Sequence, residues 1–311
     1  MIRRLVVLLL GFGLVGSAEV FAQQRPVIST YHFNPLPMNP AMAGRLNQLS
    51  ITAVNRNQWV NVDGAPIFQS FTAHNAFRQN QIGAGLIFTR DKVGVHEDLS
   101  LYAAYAYKIR MSRGVMSFGL QGGFSNRKSD FTQLNIRDLG DPFLTGTPTT
   151  FNPNFGTGIY WQDTKSFVSL SVPFILTPKA FDIETDSPVE SAEVRYYYLL
   201  AGTVFKLDEH ERFKLNPSFL LRVPERGPIG WDLNANLIIE DKIYTGVSWR
   251  SGDSIILLLQ LILNANFRVG YGYDIITSQL TRYSKGSHEI MLNYRIPIKN
   301  HKNNPDCPTY I

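Results

Sequence analysis

Cysteine is nearly absent from this 311-residue chain, and the single Cys307 excludes an internal disulfide. No cluster of His, Asp or Glu surrounds it, so neither a zinc site nor a Cys–His nucleophile is indicated; a free thiol near the C-terminus is expected, with pairing to a second chain open in an oxidising compartment. Charge is also scarce. Asp, Glu, Lys and Arg make up 18% of the chain, against the roughly 25% of ordinary soluble domains. No basic stripe appears, which argues against nucleic acid as a partner. Long apolar runs are missing beyond the first residues. The longest, IILLLQLIL (Ile255–Leu263), has a strand's length and falls well short of the ~20 residues a spanning helix needs. No stretch repeats apolar residues with a helical period.

The first residues read as a secretory signal. Arg3 and Arg4 precede the apolar LVVLLLGFGLVG, and Val20-Phe21-Ala22 sets small residues before a cut at Gln23. A membrane anchor is the alternative, but the apolar run is short for one. No Cys follows the cut, so a lipoprotein is not expected.

What the chain does have is alternation. In LSLYAAYAYKI, Leu99, Leu101, Ala103, Tyr105, Tyr107 and Ile109 share a face opposite Ser100, Tyr102, Ala104, Ala106 and Lys108. VMSFGLQGGF and EIMLNYRIPI alternate in the same way. This is the period of two that strands show. About fourteen such segments of roughly ten residues follow one another, the length of bilayer-crossing strands. They lie near 47–60, 64–78, 81–91, 97–110, 113–128, 151–163, 165–175, 193–207, 211–223, 230–240, 242–251, 253–264, 265–275 and 286–299.

Numbering the connections adds a second signal. Even connections are tight turns, whereas the longest, about 129–150, 176–192 and 276–285, are all odd. Long loops at one end and short turns at the other mark outer-membrane barrels. A soluble β-sandwich is the rival, but it needs a solvated face, and here the outward face is apolar on nearly every segment. Trp59, Trp161, Tyr196, Tyr198, Trp231 and Trp249 sit near segment ends, where interfacial girdles form. The fold expected is all-β, a transmembrane antiparallel barrel of about 14 strands. Its parts are a signal at 1–22, a lead-in at 23–46, the barrel at 47–299 and a periplasmic tail at 300–311.

The lead-in contains FNPLPMNPAMAG (Phe33–Gly44), whose three prolines make it unfit for a helix interior or a central strand. Two alternatives stand. Either Asn-Pro turns hold it in or across the periplasmic mouth, with Phe33, Leu36 and Met38 filling space, or it is a turn-rich tether without contacts.

Around this stretch an ordered set of motifs accumulates. TYHFNPLPMNPAMAG (with Asn34, Pro35, Asn39 and Pro40), NRNQW (Gln58, Trp59) and GAP (Gly64, Pro66) come first. HEDLSLYAAYAY, RYYYLLAGTVFKL, LNPSFLLR, WDLNANL and GVSWR follow, then GYGYDIITSQL (Tyr273, Asp274) and GSHEIMLNYR (Ser287, His288, Glu289). Taken in order, the set resembles the PorP/SprF family of the Bacteroidetes type IX secretion system across nearly the whole mature chain. The resemblance implies an outer-membrane barrel that works with the secretion and gliding machinery. Its partners would be other secretion components, or a cell-surface adhesin with a type B C-terminal sorting domain. The family's tail often ends Cys-Pro-Arg-aromatic; here the end reads CPTYI, with Thr309 in place of Arg.

Catalytic patterns fail on spacing. Ser287-His288-Glu289 puts His and Glu on opposite faces of one strand. Glu184, Asp186 and Glu190 lack calcium-loop spacing. The glycines of GAGLIF and GFSNRK open no phosphate loop; Gly83, Gly85, Gly119, Gly122 and Gly123 suggest curvature or bulges instead. Arg56, Arg90, Arg110, Arg250 and Arg295 are expected at the lumen or rims. No enzyme activity, metal or cofactor is expected. Phe33, Leu36, Met38, Phe131, Phe143, Phe151 and Phe181 are the candidate partner-binding residues, since aromatics are enriched at interfaces. A passive porin or hydrophobic-solute transporter is the alternative function.

Overall fold

A computed structural model describes residues 28–46, 48–133, 147–177, 180–181, 188–189 and 194–297. The expected signal and tail, Phe143, Cys307 and the acidic residues 184, 186 and 190 lie outside these ranges.

Fourteen antiparallel strands form the wall: β1 (Gln48–Asn57), β2 (Ile67–Phe77), β3 (Ile82–Val93), β4 (His96–Arg110), β5 (Val115–Ser129), β6 (Thr149–Gln162), β7 (Ser166–Val172), β8 (Tyr196–Thr203, resumed at Phe205–Lys206), β9 (Phe213–Pro224), β10 (Gly230–Ile239), β11 (Ile243–Arg250), β12 (Ser254–Ile262), β13 (Phe267–Ile276) and β14 (Ser287–Pro297). Each pairs with its chain neighbours, and β1 pairs with β14 from Gln48↔Pro297 to Asn57↔His288, which closes the sheet. Closure matters because hydrocarbon cannot satisfy the backbone groups of a free edge. A two-residue ribbon, Ala180–Phe181 with Pro188–Val189, lies within the β7–β8 connection. No α-helix occurs among the described residues.

The side-chain period decides what each face meets. Leu101, Leu120, Ile159, Leu170, Leu233, Val247, Leu257 and Leu292 all point outward and are exposed. Such a continuous apolar surface belongs in lipid, since soluble monomers rarely expose apolar patches beyond a few hundred Å². Trp231 and Trp249 pack edge to face outside, their rings 4.9 Å apart.

Two expectations change. Tyr196 and Tyr198 point inward and Tyr197 outward, because β8 is phased by buried Leu200, which stands two residues beyond Tyr198 on the same face. Of the curvature or bulges expected at the glycines of β3–β5, the bulges are absent: the β3–β4 and β4–β5 registers run unbroken. Gly83 and Gly119 make room for the chain inside.

Candidate functional site: a filled lumen

The lumen is occupied by the chain's own Ile28–Leu46. Leu36, Ala41, Met42 and Ala43 are almost wholly buried against inward residues of the wall. Two features of the sequence make this possible. Prolines 35, 37 and 40 prevent the segment from continuing as a strand. Asn39 then starts a short 3-10 turn (Pro40–Met42) by accepting the Ala41 N–H at 2.8 Å.

At the end of the barrel where the tight turns lie, the wall is cut back to admit this turn. A Cβ on Gly119 would stand 2.0 Å from the Ala41 nitrogen, and one on Gly83 would stand 1.9 Å from the Ala43 carbonyl oxygen. Side chains then hold the backbone down. Ser117 donates to the Ala41 carbonyl at 2.7 Å and Ser171 to the Met38 carbonyl at 2.7 Å. The Asn39 amide donates to Ser169 Oγ at 2.8 Å and to the Ile159 carbonyl at 3.0 Å. Lys108 donates to the Gly44 carbonyl, while the Gly44 N–H donates to His74 Nδ1 at 3.1 Å.

Apolar contacts fill the middle. Leu36 packs with Ile87, Tyr102, Ala104 and Ala106. Tyr31 and Met42 pack with Tyr160, Phe167, Leu200 and Leu220, and Met38 borders them. Phe33 borders Ile28, Val54, Phe68 and Met291 and meets Tyr244 edge to face at 6.3 Å.

The opposite end, where the long loops lie, is held by charge. Arg56 on β1 reaches Asp274 on β13 at 2.6 Å and Glu289 on β14 at 3.1 Å. Ser29 sits among them. Its hydroxyl donates to Asp274 and accepts from Arg56, both at 2.8 Å, and its N–H donates to Glu289 at 2.8 Å. Thr30 adds its N–H to Glu289 at 2.8 Å, and its hydroxyl donates to the same oxygen. Asp232 joins Arg222 at 2.8 Å and Arg250 at 3.2 Å, and Arg250 also approaches Asp274 at 3.6 Å. Three guanidinium groups thus face three carboxylates, with Arg56, Asp232 and Glu289 each at most 2% exposed. Buried charges persist only when paired and hydrogen-bonded, so this network fixes Ser29 and Thr30 in one place.

The motif residues of the wall and outer loops gather at the same end, whereas Asn39 and Pro40 lie at the turn end. The Trp59 N–H donates to Ser287 Oγ at 3.1 Å, and the Val60 N–H to the Gly286 carbonyl at 2.9 Å. Gln58 closes its loop on the Pro66 carbonyl at 3.0 Å, and the Gly64 carbonyl accepts the Gly94 N–H at 2.9 Å. Glu289 points into the lumen while His288 points out, its ring 4.9 Å from that of Tyr273 and its Nδ1 2.7 Å from the Tyr271 hydroxyl. The two lie on opposite faces of β14, as the sequence spacing requires.

The remaining candidate aromatics sit apart. Phe131 meets His96 edge to face at 6.1 Å, and exposed Phe151 lies 5.0 Å from Phe124. Phe181 belongs to the two-residue ribbon and Phe143 lies outside the described residues. Sequence reasoning missed Ser29, Thr30, Arg222 and Asp232. Inward parity near the odd connections was the available signal for the charged members.

Fold and lumen together define an outer-membrane β-barrel whose bore is occupied by its own N-terminal segment. Residues 20–294 match the family described as type IX secretion system membrane protein PorP/SprF, and the chain belongs to that family. Among solved structures it is similar to the CymD monoaromatic hydrocarbon channel, with 12% identity over 94% of this chain and 97% of that one and a TM-score of 0.50. It is also similar to the outer membrane protein Omp33 of Acinetobacter baumannii (9% identity, 82% and 100% covered, TM-score 0.48). At these identities the likeness concerns the fold alone. No curated protein matches the chain.

Proposed function

We propose that this barrel serves type IX secretion by binding protein partners, without chemistry of its own. The partners are other components of the machinery or a secreted adhesin carrying a type B C-terminal sorting domain. The observation that supports this over solute passage is the filled lumen: Ile28–Leu46 packs against inward side chains of strands all round the wall. A porin needs a water-filled bore of this strand number to stay open. The outer loops, with Phe131, Phe143, Phe151 and Phe181, and the two chain ends supply the partner-facing surface. The conduction reading has no comparable support.

The test is affinity purification of the tagged chain from the outer membrane of cells that produce it, with bound proteins identified by mass spectrometry. Recovery of a type IX component or a sorting-domain adhesin supports the proposal. Recovery of the barrel alone, after crosslinking as well, counts against it.

A further inference from the structure

We propose that the turn end of the lumen holds a binding site for a carboxylate group, built around Arg268 and Arg295. A cavity of about 60 Å³ lies there between the lumenal segment and the wall. Met42, Tyr160 and Phe167 make one side of it apolar, and Arg45, Arg268 and Arg295 make the other cationic. Among the described residues no Asp or Glu lines it. The contrast with the loop end is the core of the inference. There each buried guanidinium meets a carboxylate; here Arg268 and Arg295 are within Coulombic reach of each other instead.

Arg268 is 8% exposed, and its Nη1 finds no hydrogen-bond acceptor among the described residues. Arg295 is equally buried and gives its Nε to Asn293 Oδ1 at 3.0 Å. The backbone fixes their spacing, because Arg268 pairs in register with Asn293, two residues before Arg295 on the same face. Two buried like charges are costly unless an opposite charge joins them. A guanidinium fork matches the planar carboxylate best. The cavity is several times the ~10–15 Å³ that a single water needs by the same measure, so a carboxylate group fits in it. Two sources carry that group: a free short-chain carboxylate, or the C-terminus of a peptide.

The test uses the full chain in vesicles of neutral lipid, following the thermal unfolding midpoint at constant ionic strength. Sodium butyrate is compared with sodium chloride, with butanol, and with an alanine tripeptide carrying a free or an amidated carboxyl end. Butyrate or the free tripeptide raises the midpoint over chloride, while butanol and the amide do not. Arg268→Gln weakens the binding at least tenfold, and Arg268→Lys retains part of it. Tighter binding of the free tripeptide than of butyrate assigns the site to chain ends; equal or tighter binding of butyrate assigns it to small carboxylates. No shift over chloride up to about 100 mM of either carboxylate overturns the proposal, and so does an equal shift with butanol. Should Arg268→Gln fail to fold, the wild-type comparisons and Arg268→Lys decide.

Discussion

Replacing Arg56 by Met removes the guanidinium from the loop-end network while keeping most of its bulk. Two ion contacts disappear, to Asp274 at 2.6 Å and to Glu289 at 3.1 Å, together with the bond to Ser29. Breaking a buried pair by deleting one partner costs about 3–5 kcal/mol, chiefly because the remaining charge stays buried. Some compensation survives. Asp274 keeps Arg250 at 3.6 Å and the Ser29 hydroxyl, and Glu289 keeps the N–H groups of Ser29 and Thr30. The lower end applies, about 3 kcal/mol, which is on the order of a hundredfold in the folding equilibrium. Urea unfolding in neutral-lipid vesicles, followed by tryptophan fluorescence, measures it. Adding Glu289→Gln to Arg56→Met recovers most of the loss, since two guanidiniums (Arg222, Arg250) then face two carboxylates (Asp232, Asp274). A loss below about 1 kcal/mol, the scale of an exposed pair, refutes the assignment of this network as the anchor of Ser29 and Thr30.

Gly119→Leu forces its side chain into the Ala41 backbone and displaces the 3-10 turn. In a Cys307→Ser background, a Leu36→Cys thiol then reacts rapidly with a water-soluble maleimide, whereas it reacts slowly when Gly119 is retained; equal rates contradict the packing. Leu292→Arg, near the middle of β14 on the outer face, costs about 2–4 kcal/mol in a bilayer, and an effect no larger than Leu292→Ala argues that lipid does not touch it. Asp163 turns β6 into β7. Burial raises the pKa of its carboxyl, but the Lys165 and Ser166 N–H groups and Arg113 outweigh that and leave it below its ordinary value. A lowered folded-state value means a stabilisation present above about pH 4 and lost as pH falls through that lowered value. Wild type therefore loses stability in acid more steeply than Asp163→Asn, and parallel pH curves contradict this.

The strands were legible because each meets two solvents. Lipid outside selects Leu101, Tyr105 and Leu292, and the packed inside selects alternating Ala104, Ala106 and Asn293, so periodicity alone locates them. Phase was harder where one residue type fills consecutive positions. Tyr196, Tyr197 and Tyr198 give no parity of their own, and the inward direction of two of them is set by pairing with β7 and β9. The proline-rich stretch announced a stiff non-strand, yet nothing in it states where it goes. One clue lay in the wall: Leu220, Ile256, Leu258 and Met291 face inward, apolar residues that a water-filled bore would not favour. Inward parity marked the charged residues, but their pairing was beyond reach, because Arg56 and Glu289 meet only through closure of the first strand on the last. Gly83 and Gly119 misled for a related reason. A strand glycine signals either a bend or a close neighbour, and the neighbour here is Ala41 or Ala43, far away in sequence.

Occupation of the bore by Ile28–Leu46 is the claim on which the account turns. Planar-bilayer conductance of the purified full chain tests it most directly. The account predicts a closed baseline for the wild type and steady conducting channels once Gly119→Leu displaces the segment. Large steady channels from the wild-type barrel, unaltered by Gly119→Leu, would contradict it.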